Sequence, residues 1–213
     1  MVGRHSKKAR GQSRRYARKP SVWSEIRGYL LTVIAVMLVV LLGRTFVFNV
    51  YVIPSRSMED TLQIGDRVFA SRLTPRLFTL HRGDIIVFKD PADWMEGEQL
   101  PTNLMSIIDS NRYLIKRVIG LPGDTVQVKD GYTYINGELL ESDIYGAEVM
   151  IEAGAASEPI TLGEEEYFVL GDNRNHSLDS RDPSVGILKR EDLIGRAWVR
   201  IYPFDKMGVI RHE

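Results

Sequence analysis

The uncharged, mostly apolar stretch from Gly28 to Gly43 constrains this chain more than any other part of its sequence. It holds sixteen residues, and Leu, Val and Ile occur on every face that a helix over this stretch would have. A bilayer span needs about 20 residues. Because the long side chain of Arg44 can reach the headgroups, it extends the usable length. The stretch therefore predicts a single transmembrane helix over residues 28–48.

Two other interpretations of this stretch are disfavoured. A buried core helix normally keeps a polar stripe, and a cleaved secretory signal ends at an Ala-x-Ala-like site. The sequence has neither feature here, so we expect an uncleaved anchor.

The charge of the chain is distributed unevenly around the predicted helix. The formal net charge is zero, but residues 1–27 carry nine Lys or Arg and one acid, Glu25, which gives +8 before and −8 after. The positive-inside rule predicts a basic cytoplasmic tail over 1–27 and an extracytoplasmic domain over 49–213. The tail lacks interleaved aromatic residues and any recognisable binding fold, so we expect no nucleic-acid partner.

Beyond the anchor, the pattern of hydrophobicity is that of a mostly β protein. Short β-prone runs are separated by Gly, Asp and Pro, which predicts an exported all-β domain of antiparallel sheets with little helix. The pair Asn136-Gly137 is a strong hairpin signal, and we expect a small β-hairpin subdomain near 130–165. The weakly patterned stretches 89–112 and 141–163 are predicted to be long loops. The chain has no cysteine, which excludes disulfides and thiolate metal sites.

One lysine, Lys116, lies inside a predicted apolar strand from Tyr113 to Ile119. Strand alternation places it on the same face as Leu114 and Val118. Desolvation disfavours an ammonium group, so we expect the pKa of Lys116 to lie below the free value of about 10.4. A neutral lysine can take the proton of a serine hydroxyl. From the strand alone, an ordinary snorkelling or salt-bridged lysine remains the commoner alternative.

Other catalytic chemistries have weaker support in the sequence. For a Ser-His-Asp triad the only serious histidine is His176, and a lone histidine in a polar loop is more often solvated. The acids of the same loop, among them Asp172 and Asp182, are interleaved with arginines and lack calcium-ligand spacing. We therefore expect Asp–Arg pairing within this loop, no metal and no cofactor.

Four sequence runs, in a fixed order behind the predicted anchor, resemble a known family. They are Pro54-Ser55-Arg56-Ser57-Met58, Gly83-Asp84-Ile85-Ile86-Val87-Phe88, Lys116-Arg117-Val118-Ile119-Gly120-Leu121-Pro122-Gly123-Asp124 and Gly171-Asp172-Asn173-Arg174 with Ser177-Leu178-Asp179-Ser180-Arg181. From about residue 28 to about residue 205, the chain resembles the bacterial type I signal peptidases. One departure is Asp60, where the family often has proline before Thr61-Leu62.

This resemblance implies a membrane-bound serine endopeptidase that removes signal peptides with a Ser/Lys dyad. Ser57 matches the nucleophile and Lys116 the general base. Ser55 matches a hydroxyl donor to the oxyanion hole, in which the backbone N–H of Ser57 would be the second donor. Ser177 matches a serine that orients the lysine ammonium.

Further expectations follow from the same resemblance. Asp179 and Arg181 match an acid–base pair that supports the site. The run from Tyr51 to Pro54 offers an edge to which an extended substrate could add as a strand. Ile53 and Ile115 would line small apolar pockets that select Ala-x-Ala-like ends.

The expected partners are signal peptides of secreted preproteins and membrane lipid, and contact with the export machinery is left open. The expected location is the bacterial cell membrane, in a single pass, with the N-terminus cytoplasmic.

Two other functions stay open at this point. A self-cleaving Ser/Lys regulator shares the dyad, but it would need a DNA-binding helical domain where this chain has an apolar stretch. A non-enzymatic, membrane-anchored β module that binds a surface partner fits the fold class, but it gives no reason for the contexts of Ser57 and Lys116.

Overall fold

A computed structural model of the chain describes residues 22–46, 48–89, 113–141, 143 and 149–211. The chain divides into two compact units, Met1–Leu41 and Leu42–Glu213. The predicted loop at 89–112 lies outside the described residues from residue 90 onward, as does most of the predicted basic tail.

Helix α1 runs from Val22 to Phe46 and contains the apolar stretch of the sequence. Its side chains from residue 26 to residue 40 are exposed. Across the part of the chain that the structure describes, no helix is both long enough and apolar enough to qualify as a membrane span. The transmembrane helix predicted over residues 28–48 therefore stays a prediction.

The second unit is mostly β, as the sequence predicts, and every strand pair in it is antiparallel. Apart from short 3₁₀ turns, its described helical content beyond the end of α1 is one four-residue helix, α2. The elements are β1 Phe48–Val52, β2 Arg67–Ser71, α2 Thr74–Leu77, β3 Ile85–Lys89, β4 Tyr113–Gly120, β5 Thr125–Lys129, β6 Tyr132–Ile135, β7 Glu138–Leu139, β8 Ile160–Thr161, β9 Glu166–Leu170, β10 Leu188–Lys189, β11 Leu193–Tyr202 and β12 Gly208–Val209.

The larger sheet has eight strands in the order β1-β2-β11-β3-β4-β9-β10, with β12 paired to β11. Its central strands β3 and β4 are almost continuously buried. Alternate residues of β3 pack into two different apolar clusters: Ile85 and Val87 into one, Ile86 and Phe88 into the other. This is the expected result of side chains that point to opposite faces of a strand.

The smaller sheet has four strands in the order β7-β6-β5-β8, from Thr125 to Thr161. The predicted hairpin at Asn136-Gly137 is confirmed, since both residues have positive φ (54° and 85°) between β6 and β7. Strand β8 and a 3₁₀ turn over Gly154–Ser157 lie within the stretch 141–163 that the sequence predicts to be a loop. A third apolar cluster joins this sheet to β4 and β9.

Two strand edges frame the region that holds the predicted catalytic residues. Strand β1 ends the larger sheet and pairs, among the described strands, with β2 alone. Strand β9 pairs with β4 only from Arg117 onward, while β3 pairs with all of Tyr113–Arg117. Residues 113–116 thus have β3 on one side and no described strand on the other. The rings of Tyr51 and Tyr113 meet edge to face at 5.3 Å, so these two edges are close together.

Candidate active site

Ser57 lies at the centre of a 3₁₀ turn, Arg56–Met58, immediately beyond β1. The turn is closed by a hydrogen bond from the N–H of Glu59 to the carbonyl of Arg56 at 3.0 Å. Met58 is 1% exposed and belongs to the first apolar cluster, which fixes the turn to the core. Ser57 is 7% exposed, and its carbonyl accepts a hydrogen bond from the N–H of Asn173 at 3.1 Å. Core packing on one side and Asn173 on the other therefore hold this serine.

Lys116 extends from the middle of β4 to the same serine. Its Nζ donates to Ser57 Oγ at 2.8 Å and to the carbonyl of Ile115 at 3.0 Å. Lys116 is 1% exposed, and its same-face neighbours Leu114 and Val118 pack in the second apolar cluster. The predicted apolar face is thus confirmed, and the structure brings together two residues that are 59 positions apart in the sequence.

The hydroxyl of Ser55 also lies next to the hydroxyl of Ser57. It precedes the 3₁₀ turn in extended conformation and makes no side-chain capping bond to it. Its Oγ lies 3.2 Å from Ser57 Oγ. Three potential proton carriers, the two hydroxyl groups and the Lys116 amine, are therefore connected by two short contacts.

Ser177 lies against the backbone beside Ser57. A Cβ added to Gly171 would overlap Ser177 Oγ and would lie 2.5 Å from the carbonyl oxygen of Ser57. Ser177 Oγ is buried and has no hydrogen-bond partner among the described residues, so a bond to Lys116 is not formed here. The structure places Ser177 next to the site without connecting it to the lysine.

Asp179 and Arg181 form a buried ion pair behind this segment. Arg181 Nε donates to Asp179 Oδ1 at 2.8 Å, and Arg181 Nη2 donates to Oδ2 at 3.0 Å. Asp179 also accepts from the N–H of Gly171 at 3.0 Å. The pair therefore fixes the glycine against which Ser177 packs.

A second buried pair, Arg117–Asp172, was not predicted from the sequence. Arg117 Nε and Nη2 each contact one carboxylate oxygen of Asp172 at 2.8 Å. Nη1 of the same guanidinium donates to the carbonyl of Gly83 at 2.7 Å, and Thr61 donates to Asp172 at 2.5 Å. This network connects the residue after Lys116 to the segments that follow Ser57 and Leu170.

The expectation that the acids of the last sequence run pair within their own loop is only partly right. Asp179 does so, but Arg174 makes a bidentate contact with Asp143, at 2.6 Å for both oxygens, from outside the loop. Asp182 accepts hydrogen bonds from the N–H and hydroxyl of Ser184. Bidentate Arg–carboxylate geometry could not be assigned from spacing, because the partners come from different elements.

His176 is exposed, and its Nδ1 lies 3.2 Å from Asn173 Oδ1. The dyad serine contacts Lys116 and Ser55 instead. This arrangement agrees with the interpretation of His176 as a solvated loop residue.

Three of the four residues predicted to contact substrate share an apolar cluster with Met58, the residue after Ser57. Tyr51, Ile53 and Ile115 are 5%, 2% and 5% exposed and share the first apolar cluster, while Pro54 is exposed. Burial raises the pKa of the Tyr51 hydroxyl, and a hydrogen bond from Asn49 opposes this rise.

Comparison with known proteins gives a consistent result. Residues 26–202 match the family model described as "Signal peptidase, peptidase S26". A probable signal peptidase I-2 of a Synechocystis species is 37% identical over 193 residues, which cover 91% of this chain and 79% of the relative. A signal peptidase I of Leptolyngbya laminosa is 39% identical over 82% of this chain and 79% of the relative.

A solved structure of a signal peptidase I from Enterococcus faecalis is 31% identical in sequence. The match covers 55% of this chain and 96% of that chain, with a TM-score of 0.39.

Proposed function

Because this chain belongs to the signal peptidase family, peptidase S26, we propose that it cleaves preproteins with Ser57 as nucleophile and Lys116 as general base, from a membrane anchor. It is a serine endopeptidase, and its substrates are preproteins that carry signal peptides. The observation that carries the dyad assignment is the 2.8 Å contact between Lys116 Nζ and Ser57 Oγ.

The proposed reaction begins with neutral Lys116. As Ser57 Oγ attacks the scissile carbonyl carbon, its proton moves to Lys116 Nζ. The resulting ammonium then gives this proton to the leaving amine, which departs as the new N-terminus of the mature protein. A water molecule then attacks the carbonyl carbon of the acyl-enzyme while Lys116 takes a proton from it. As the ester bond to Ser57 breaks, the Lys116 ammonium gives that proton to Ser57 Oγ. Burial of Lys116 supports this role, because a low-dielectric site disfavours its charged form.

The oxyanion of each tetrahedral intermediate needs donors, and we assign these to the Ser57 N–H and the Ser55 hydroxyl. Ser55 Oγ is 3.2 Å from Ser57 Oγ. Its side chain makes no capping hydrogen bond to the 3₁₀ turn. A donor that meets charge only in the transition state contributes roughly 3 kcal/mol to catalysis. Ser177, Asp179 and Arg181 are proposed to support the site, the last two by holding Gly171.

The substrate is proposed to add as an extended strand between the edges of β1 and β4. Support comes from two strand edges that lie close together, since Tyr51 and Tyr113 are in ring contact. Ile53 and Ile115, both buried in the same apolar cluster, are proposed to line small pockets for the residues before the scissile bond. This geometry favours small residues such as alanine at those positions.

The membrane anchor is proposed to be residues 28–48, which α1 covers up to Phe46, with residues 1–27 cytoplasmic. Support comes from the uncharged run 28–43 and the +8 charge that precedes it. Thirteen residues separate Gly43 from Ser57 and can span no more than about 45 Å. Anchoring enzyme and signal peptide in one membrane would raise their effective concentration for each other.

The direct test is incubation of the full-length protein with a preprotein in non-ionic detergent, followed by sequencing of the new N-terminus. We expect one cut directly after an Ala-x-Ala-like end, and none with Ser57→Ala. Equal cleavage by Ser57→Ala would contradict the assignment of the nucleophile. For the anchor, a variant lacking residues 22–46 should leave the carbonate-washed membrane fraction, whereas the complete chain should stay in it.

A further inference from the structure

A cavity of about 310 Å³ lies between two segments of the second unit, residues 151–154 and 174–183. Its walls are held in place by three hydrogen bonds. Ala155 donates to the carbonyl of Arg181 at 2.8 Å, Arg181 Nη1 donates to the carbonyl of Glu152 at 3.1 Å, and the Asn175 amide oxygen accepts from Ile151 at 3.0 Å. The cavity is therefore a built feature of the fold.

Ser177 links this cavity to the segment that holds Ser57. It is one of the lining residues, and a Cβ added at Gly171 would collide with both the Ser177 side chain and the Ser57 carbonyl. The proposed mechanism leaves the cavity unused.

The direction of the bound substrate leads toward the cavity. Leu170 of β9 pairs with Arg117, so Gly171 lies level with Lys116 along β4. A substrate strand that pairs with residues 113–116 would therefore have one of its ends directly in front of Gly171. A substrate chain that runs parallel to β4 and continues past Ser57 would have to turn aside, and Ser177, which packs at Gly171, also lines the cavity. In that direction the first residues of the mature protein would come to the cavity.

The charges around the cavity are unbalanced. Arg174 and Arg181 are neutralised by Asp143 and Asp179. Glu152 and Asp182 remain as exposed carboxylates on its lining. Hydrogen bonds from the Ser184 side chain and backbone hold the pKa of Asp182 below its usual value, so this group is ionised at neutral pH.

We propose that this cavity binds the first residues of the mature segment, and that Glu152 and Asp182 make the enzyme prefer a basic over an acidic residue there. The proposal rests on the proposed function, because it assumes that Ser57 cuts the peptide. Attraction of Lys or Arg and repulsion of Glu or Asp by the same two carboxylates both act in the preferred direction.

The test uses two preproteins that differ only at the second residue after the scissile bond, Lys in one and Glu in the other. Full-length enzyme in non-ionic detergent at low salt is assayed for kcat/KM on each. We expect the Lys substrate to be favoured roughly 5-fold, since exposed charge pairs contribute modestly. The variant carrying both Glu152→Gln and Asp182→Asn should bring this ratio close to 1, and Asn keeps the acceptor for Ser184. Glu138→Gln, an exposed glutamate on β7 outside the cavity, is the control and should leave the ratio unchanged.

The outcomes separate this proposal from the proposed function. Cleavage of both preproteins with a ratio that the double variant does not alter would overturn the assignment of the cavity alone. A change of the same size in Glu138→Gln would also overturn it, because general surface charge would then explain the preference. Cleavage of neither preprotein would contradict the proposed function itself.

Discussion

The amine of Lys116 donates a hydrogen bond to the hydroxyl of Ser57 at 2.8 Å, although the two residues come from a central strand and from a turn beyond an edge strand. Both side chains are almost fully buried. The contact joins the proposed nucleophile to the proposed base, which is shielded from water, and the other features of the site are arranged around it.

The first prediction concerns the dyad as a unit. Ser57→Ala and Lys116→Met should each lower kcat/KM on a preprotein by at least about 10³-fold, because each removes one half of a single proton-transfer device. The double variant should be no slower than the slower single variant. Far-UV circular dichroism should show a folded protein in each case. Multiplicative losses in the double variant would contradict a shared role.

The second prediction concerns the histidine. His176→Ala should keep most of the wild-type kcat/KM, since His176 is exposed and contacts Asn173. Assay against the same preprotein, side by side with Ser57→Ala, gives the comparison. A loss as large as that of Ser57→Ala would restore the Ser-His-Asp interpretation.

The third prediction concerns the buried Arg117–Asp172 pair. Asp172→Ala should lower the free energy of unfolding by about 3–5 kcal/mol, because it removes the carboxylate that contacts two nitrogens of the buried guanidinium. The matched control is Glu59→Ala, which breaks the Arg56–Glu59 pair at 4.0 Å, where the side chains are 72% and 46% exposed. That change should cost less than about 1 kcal/mol. Equal effects of the two variants in urea denaturation would argue against the structural role of the buried pair.

The fourth prediction concerns Gly171. A Cβ there would collide with Ser177 and lie 2.5 Å from the Ser57 carbonyl. We expect Gly171→Ala to lower kcat more than 10-fold, because a small displacement of the nucleophile disrupts the attack geometry. The control is Gly208→Ala, since a Cβ at Gly208 meets nothing within 4 Å. Wild-type kcat in Gly171→Ala would show that the turn adapts.

The fifth prediction concerns alkaline pH. Burial raises the pKa of Tyr51 in the folded state above the unfolded value of about 10. The unfolded chain therefore loses this proton first, so stability is complete below about pH 10 and falls as pH rises further. Tyr51→Phe should show a smaller drop in the free energy of unfolding between pH 9 and pH 11. Tyr132→Phe, at a tyrosine that is 42% exposed, should behave like the wild type.

Local features of the fold could be predicted from the sequence because they depend on neighbouring residues. Strand alternation was enough to place Lys116 on the face of Leu114 and Val118. The pair Asn136-Gly137 was enough to indicate a hairpin, because both positions need positive φ. The Asp130-Gly131 turn between β5 and β6 has the same geometry, with φ of 51° and 79°, and its sequence carries the same signal.

Contacts between distant segments could not be predicted in this way. The approach of Ser57 to Lys116 depends on β1 and β4 coming together across a sheet in which β2, β11 and β3 lie between them. The arginines show the same limit. Arg181 pairs with an acid two positions away, as spacing suggested, whereas Arg174 and Arg117 pair with acids 31 and 55 positions away. Several acids could pair equally well with each arginine, and only the tertiary fold determines which of them lies within reach.

The edge of β1, to which the substrate is proposed to add and along which no second described strand pairs, has a consequence for how many different proteins one such enzyme can process. A strand edge presents amide and carbonyl groups, which every peptide can match in the same way. Recognition through main-chain hydrogen bonds allows most side chains in the substrate. Substrates are then selected only at the few positions where the site has little space for a side chain. For the same reason, proline is excluded at every substrate position whose N–H must donate a hydrogen bond. A substrate peptide that is methylated on one backbone nitrogen keeps all its side chains, so its binding would show whether the enzyme recognises main-chain groups or side chains.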